Sequence, residues 1–94
     1  MIKTFADKGT KEFWTTGASQ GMPPASLRNV AKKKLAMLLA AARLEDLRLP
    51  PGNKLEALRH DRAGQHSIRI NDQFRVCFVW DEGDAFDVEI TDYH

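Results

Sequence analysis

A chain of 94 residues and 10.6 kDa has room for one hydrophobic core, so a single domain spanning residues 1–94 is expected. A content of 43% hydrophobic and 29% charged residues is that of a soluble globular protein, and no apolar run approaches the roughly 18 residues of a membrane span. The net charge of +1 hides an asymmetry: residues 1–62 hold 12 Lys/Arg against 6 Asp/Glu, while residues 63–94 hold 2 against 7. A basic half of that density suits a polyanion, and it equally suits an unevenly charged solvated surface.

The opening Met1-Ile2-Lys3-Thr4-Phe5 has neither an apolar leader region nor a small-residue cleavage site, so no secretory signal is expected. A single cysteine, Cys77, excludes an internal disulfide framework and a multi-cysteine metal site. A reducing cytoplasm is the expected compartment.

Ile2–Phe5 reads as a short opening strand, followed by a helix from Asp7, as N-cap, to Thr16. Phe13 and Trp14 are its expected anchors. Residues 17–21 break the chain, and Pro23-Pro24 introduce a second helix. Leu27, Val30, Ala31, Leu35, Leu38, Leu39 and Ala42 recur at three- and four-residue spacing, which predicts a helix over 27–42. Lys32, Lys33 and Lys34 lie off that stripe. They form either a solvated helix face or a phosphate-facing ridge. Pro50-Pro51-Gly52-Asn53 then marks a turn.

Strands are expected at 55–59, 65–70, 74–80 and 84–91. Helices followed by an antiparallel meander predict an α+β fold with the helices on one sheet face. Alternation assigns His66, Ile68, Ile70, Phe74, Val76, Phe78, Trp80, Phe86, Val88 and Ile90 to the face packed on Leu35, Leu38 and Leu39. Three-residue loops at 71–73 and 81–83 then pair Ile68 with Val76, Phe78 with Phe86 and Arg75 with Glu89. They also set Arg69 opposite Arg75. Facing arginines repel, so either a phosphate sits between them or they splay apart with Arg75 held by Glu89. Arg59 is placed to join the cluster. Cys77 reads as a small filler beside Ser67, His66 as a core or boundary histidine, and His60 as exposed.

The chain ends in Asp92-Tyr93-His94, which brings together a carboxylate, a phenol and an imidazole. Strict alternation puts Tyr93 on the face opposite Asp92 and His94. The tripeptide is either a frayed end or a proton-handling group.

Leu49-Pro50-Pro51-Gly52-Asn53-Lys54-Leu55-Glu56-Ala57-Leu58, Asp61-Arg62, the run from Gln65 to Asn71, Phe74-Arg75-Val76, Gly83-Asp84-Ala85 and the terminal Asp92-Tyr93-His94 closely resemble the HigB toxins of the RelE/ParE superfamily. The resemblance covers nearly the whole chain and is loosest over residues 6–25. It implies a RelE-like curved antiparallel sheet packed on one face by two N-terminal helices. It also implies a cytoplasmic bacterial toxin that cleaves messenger RNA in the ribosomal A site. The implied partners are a HigA-like helix-turn-helix antitoxin, the ribosome and messenger RNA. Operator DNA would be met only through the antitoxin complex, and no membrane is involved.

The implied chemistry is cofactor-free: the ribose 2′-OH attacks the adjacent phosphate and a cyclic phosphate forms. Arg75, Arg59 and, with less reason, Arg69 are the expected charge stabilisers. Asp92 or His94 is the expected base, with the other orienting it or acting as acid. Tyr93 would stack on a base or bond the phosphate. A well-known relative carries histidine where this chain has Glu56, which leaves Glu56 either a base or a structural group. No His, Cys and carboxylate cluster has metal-ligand spacing. Two other functions compete: inhibition of DNA gyrase by binding, and non-catalytic ribosome binding through Arg28 and Lys32–Lys34.

Overall fold

The computed structural model describes residues 1–18 and 23–92, so part of the expected 17–21 break, together with Tyr93 and His94, lies outside the described residues. Asp7 caps α1 (Lys8–Thr16) as expected, its carboxylate accepting from the Thr10 N–H at 3.1 Å. Gly17, at φ 80°, ends the helix in the left-handed conformation that glycine adopts without a Cβ clash. Phe13 is buried and Trp14 packs against the core, so both anchor α1.

A 3-10 turn at Ala25–Leu27 leads into α2 (Arg28–Ala40). The helix stops two residues before the predicted end. The Asp46 carboxylate holds the following backbone, accepting from the N–H groups of Ala42 and Arg43 at 3.0 Å each. Those bonds hold the Asp46 carboxyl below its ordinary pKa. Ala31, Leu35 and Leu38 fill the core, but Leu39 does not; it is 41% exposed. One residue past Leu38 it stands roughly 100° further round the helix, off the buried line.

A 3-10 turn at Pro51–Asn53 falls where Pro50-Pro51-Gly52-Asn53 predicts one, and a further 3-10 turn, Leu44–Arg48, precedes it. The sheet is antiparallel in the order β1 (Glu56–Ala57), β2 (His66–Arg69), β3 (Phe74–Asp81), β4 (Asp84–Asp92). Both helices pack on one face of it, where Phe13, Leu35 and Leu38 meet Ile68, Val76, Phe78, Val88 and Ile90. Burying each such side chain contributes roughly 1.5–3 kcal/mol. Residues 2–5 do not form a separate strand. They run parallel beside β4 through bridges at Ile2–Ala85 and Phe5–Val88.

The β2–β3 register is the expected one, with Ile68 opposite Val76 and Arg69 opposite Arg75. The β3–β4 register is not. Asp81 pairs with Asp84 across a two-residue turn, Glu82 (φ 49°) and Gly83 (φ 85°), the twisted type that a tight hairpin favours. A bulge follows: Asp87 (φ 52°) and Val88 together face Phe78. Phe86 therefore pairs with Val79 rather than Phe78 and leaves the core face, and Ala85 takes its place there. Beyond the bulge Glu89 lies opposite Cys77, and Thr91 rather than Glu89 lies opposite Arg75.

Candidate active site

The β2–β3 turn sets the geometry. The Asn71 side-chain oxygen accepts from the N–H groups of Gln73 at 3.0 Å and Phe74 at 2.7 Å, which closes the turn and fixes the register beyond it. That register holds Arg69 and Arg75 side by side on the sheet face away from the helices.

Arg75 is firmly held. Its Nε donates to the hydroxyl of buried Ser67 at 2.7 Å, and its Nη2 donates to the Lys54 carbonyl at 2.7 Å. The Glu56 carboxylate stands 3.7 Å away. Only 13% of the Arg75 side chain is exposed. These contacts fix the plane of the guanidinium and leave N–H donors over for an anion. Arg69 pairs with the Asp72 carboxylate, which is exposed and adds little stability. The repulsion between the two arginines is thus countered by Asp72 on one and Glu56 on the other. Glu89, the partner expected for Arg75, bonds Arg62 at 2.7 Å instead, because the bulge carries it past Arg75.

Asp92 pairs with Phe74, on the face opposite Arg75, and accepts from the Gln73 side chain at 2.9 Å. Arg59 is exposed on the segment after β1. It lines an open cleft of about 570 Å³ together with Glu56, Ala57, Leu58 and His60. A smaller hollow of about 300 Å³ lies between the Leu44–Arg48 turn and the β1 edge. His66 borders that hollow and stacks on Phe78 at 6.3 Å, and its buried Nδ1 has no hydrogen-bond partner among the described residues.

The three lysines of α2 do not act alike. Lys32 and Lys33 are exposed. Lys34 is half-buried and donates to the Asn53 side-chain oxygen. Burial, and then the charge of Arg69, lower the Lys34 ammonium below the ordinary lysine pKa. Cys77 is fully buried, and that burial raises its thiol to about 11, in keeping with a packing role.

Four residues outside the predicted set shape the site: Ser67, Lys54, Asn53 and Arg62. Alternation did place Ser67 on the Arg75 face. Nothing local in the sequence signals that the Lys54 carbonyl or the Asn53 amide would be used. Among the described residues, no group of three or more His, Cys, Asp and Glu could hold a metal ion and no helix is long and apolar enough to cross a membrane.

Residues 3–94 match a family model described as the RelE-like toxin of the type II toxin–antitoxin system HigB. Over 85 residues the chain is 39% identical to Toxin HigB-1 of Vibrio cholerae, covering 90% of each protein. It is 31% identical to Endoribonuclease HigB of Proteus vulgaris over the full length of both. A crystal structure of a YafQ variant from E. coli has the same fold, with a TM-score of 0.67 over 98% of this chain and 91% of that one at 14% identity. The bulged sheet with two helices on one face and two arginines on the other is therefore a member of the HigB-like family, the RelE-like toxins of type II toxin–antitoxin systems.

Proposed function

We propose that this toxin is an endoribonuclease that cuts messenger RNA in the ribosomal A site and so stops translation. Its restraint would come from a HigA-like helix-turn-helix antitoxin, in the cytoplasm of a bacterium. The observation that carries this reading is the Arg75 guanidinium, held by Ser67, Lys54 and Glu56 with N–H donors left over. A cation fixed before the substrate arrives needs no reorganisation as charge develops on the phosphate.

In the proposed reaction the ribose 2′-oxygen bonds to phosphorus, the bond to the 5′-oxygen breaks, and the 5′-oxygen takes up a proton. Arg75 stabilises the charge on the phosphoryl oxygens, with Arg59 and Arg69 in support. His94 removes the 2′ proton or supplies the leaving-group proton, and Asp92, on the face away from Arg75, orients it. Tyr93 stacks on an unpaired base or bonds the phosphate. Glu56 acts through Arg75 as a brace.

The test is 5′-end mapping of a translated messenger in a reconstituted translation system, with and without ribosomes. Cuts inside A-site codons that vanish without ribosomes are expected. Blocked growth without any cut would instead point to gyrase or to a binding-only inhibitor.

A further inference from the structure

Cys77 and Leu58 are buried, yet neither belongs to the core between the helices and the sheet. Cys77 alternates with Val76 and Phe78 of that core, so it lies on the opposite face, the face of Arg75. One row of that face runs Glu56, Ser67, Cys77 and Glu89 across all four strands. Arg62 belongs to the 3-10 turn His60–Arg62 between β1 and β2, and its Nη1 donates to Glu89 at 2.7 Å and to Gln65 at 3.1 Å. β2 and β3 separate that turn from β4, so the Arg62 side chain crosses both strands to reach the residue opposite Cys77. The turn itself is closed: the Arg62 N–H donates to the Arg59 carbonyl at 3.1 Å, and the Gln65 N–H to the Arg62 carbonyl at 3.0 Å. Two strand positions, about 7 Å, separate Cys77 from Arg75. Two guanidiniums thus share one face, that of Arg75 tied to Ser67 and that of Arg62 laid across Cys77, each with a carboxylate at its side, Glu56 for the first and Glu89 for the second. The Arg62 side chain is 28% exposed, so it also meets solvent. A cover for Cys77 alone calls for an apolar side chain, because replacing a buried ion pair by apolar residues is often neutral or stabilising. A guanidinium suits a face that a polyanion crosses, since its fork matches phosphate oxygens.

We propose that Arg62, with Glu89 as its positioning residue, is a second phosphate-binding residue that takes the RNA phosphodiester next to the one held by Arg75, a role that rests on the nuclease reading above.

The test pairs protein variants with synthetic messengers in which one phosphodiester at a time near the cut is a neutral methylphosphonate. Cleavage is measured on programmed ribosomes. For the unaltered toxin, one position adjacent to the cut should raise KM about tenfold, the worth of one charge-assisted contact. Arg62→Met should raise KM about tenfold on the natural messenger, change kcat less than about twofold, and abolish the extra penalty at that position. Arg62→Lys should restore both in part. Glu89→Gln keeps an acceptor for Nη1 and removes the charge that competes with phosphate, so KM should fall about threefold while the penalty stays. A strap that only covers Cys77 would show no such fall. Lys11→Met, an equal loss of charge on α1, should keep the whole penalty pattern. Where the melting curve of Arg62→Met shows no folded protein, Glu89→Gln carries the test, and a KM no lower than the parent's overturns the proposal. A parent with no penalised neighbour of the cut, or a folded Arg62→Met toxin with the parent's methylphosphonate pattern, would overturn the second phosphate contact and leave the nuclease reading standing. A parent toxin that cuts no messenger would overturn both.

Discussion

Arg75 and Ser67 are diagonal neighbours on the β2–β3 ladder, and the Nε of one donates to the hydroxyl of the other at 2.7 Å. The bond ties a charged side chain to a fully buried oxygen, so the guanidinium takes its direction from the sheet itself. Ser67→Ala should leave Nε–H unpaired, lower stability by about 1 kcal/mol and reduce cleavage several-fold. Arg75→Ala should remove most cleavage. Denaturant midpoints and single-turnover cutting rates, measured side by side, check the order.

Glu56 sits 3.7 Å from Arg75 and is half exposed. A pair of that kind contributes at most about 1 kcal/mol. Glu56→Gln should therefore change the unfolding free energy by less than about 0.5 kcal/mol and keep cutting within about threefold of the parent. A collapse of cleavage in this variant would make Glu56 the base and not a brace.

Burial holds the Cys77 thiol at about 11, above its ordinary value of 9.0. The unfolded thiol therefore loses its proton first as pH rises. The stability this gives is complete below pH 9 and is lost between about pH 9 and 11, at up to about 1.4 kcal/mol per pH unit. Comparing the parent with Cys77→Ala by urea unfolding across that range isolates the effect, which the variant should lack. At pH 8 a thiol reagent should modify Cys77 only as fast as the protein opens.

Buried Thr10 accepts the Ile90 N–H at 3.1 Å through its hydroxyl and so docks α1 on β4. Thr10→Val keeps the shape but strands the donor, which should cost about 1–3 kcal/mol. Thr10→Ser should recover most of that loss. Chemical denaturation of the three proteins decides it.

The parts of the fold that were legible in the sequence are those governed by local rules. Asp7 capped α1, the spacing of Ala31, Leu35 and Leu38 turned α2 inward, and alternation across a short turn set Arg69 opposite Arg75. The β3–β4 register was not legible, because it depends on left-handed backbone at Glu82 and Asp87, residues that carry no such mark. That one misreading moved Phe86 out of the core and gave Glu89 to Arg62. In the site, the two arginines were readable but their anchors were not: Lys54 contributes a carbonyl, and Asn53 reaches Lys34 from 19 residues away. Such contacts are tertiary and leave no periodicity.

The residues that run beside β4 also bear on how copies of the toxin behave together. Backbone bonds from Lys3 to Ala85 and from Ala6 to Val88 occupy the long margin of β4. The opposite margin, β1, is only two residues long. One side of the sheet is thus shuttered by the chain's own beginning, and the other is too short to template a foreign strand. Concentrated toxin should stay dispersed for that reason, whereas removal of residues 1–5 would expose a hydrogen-bonding rail along β4 and start fibre growth.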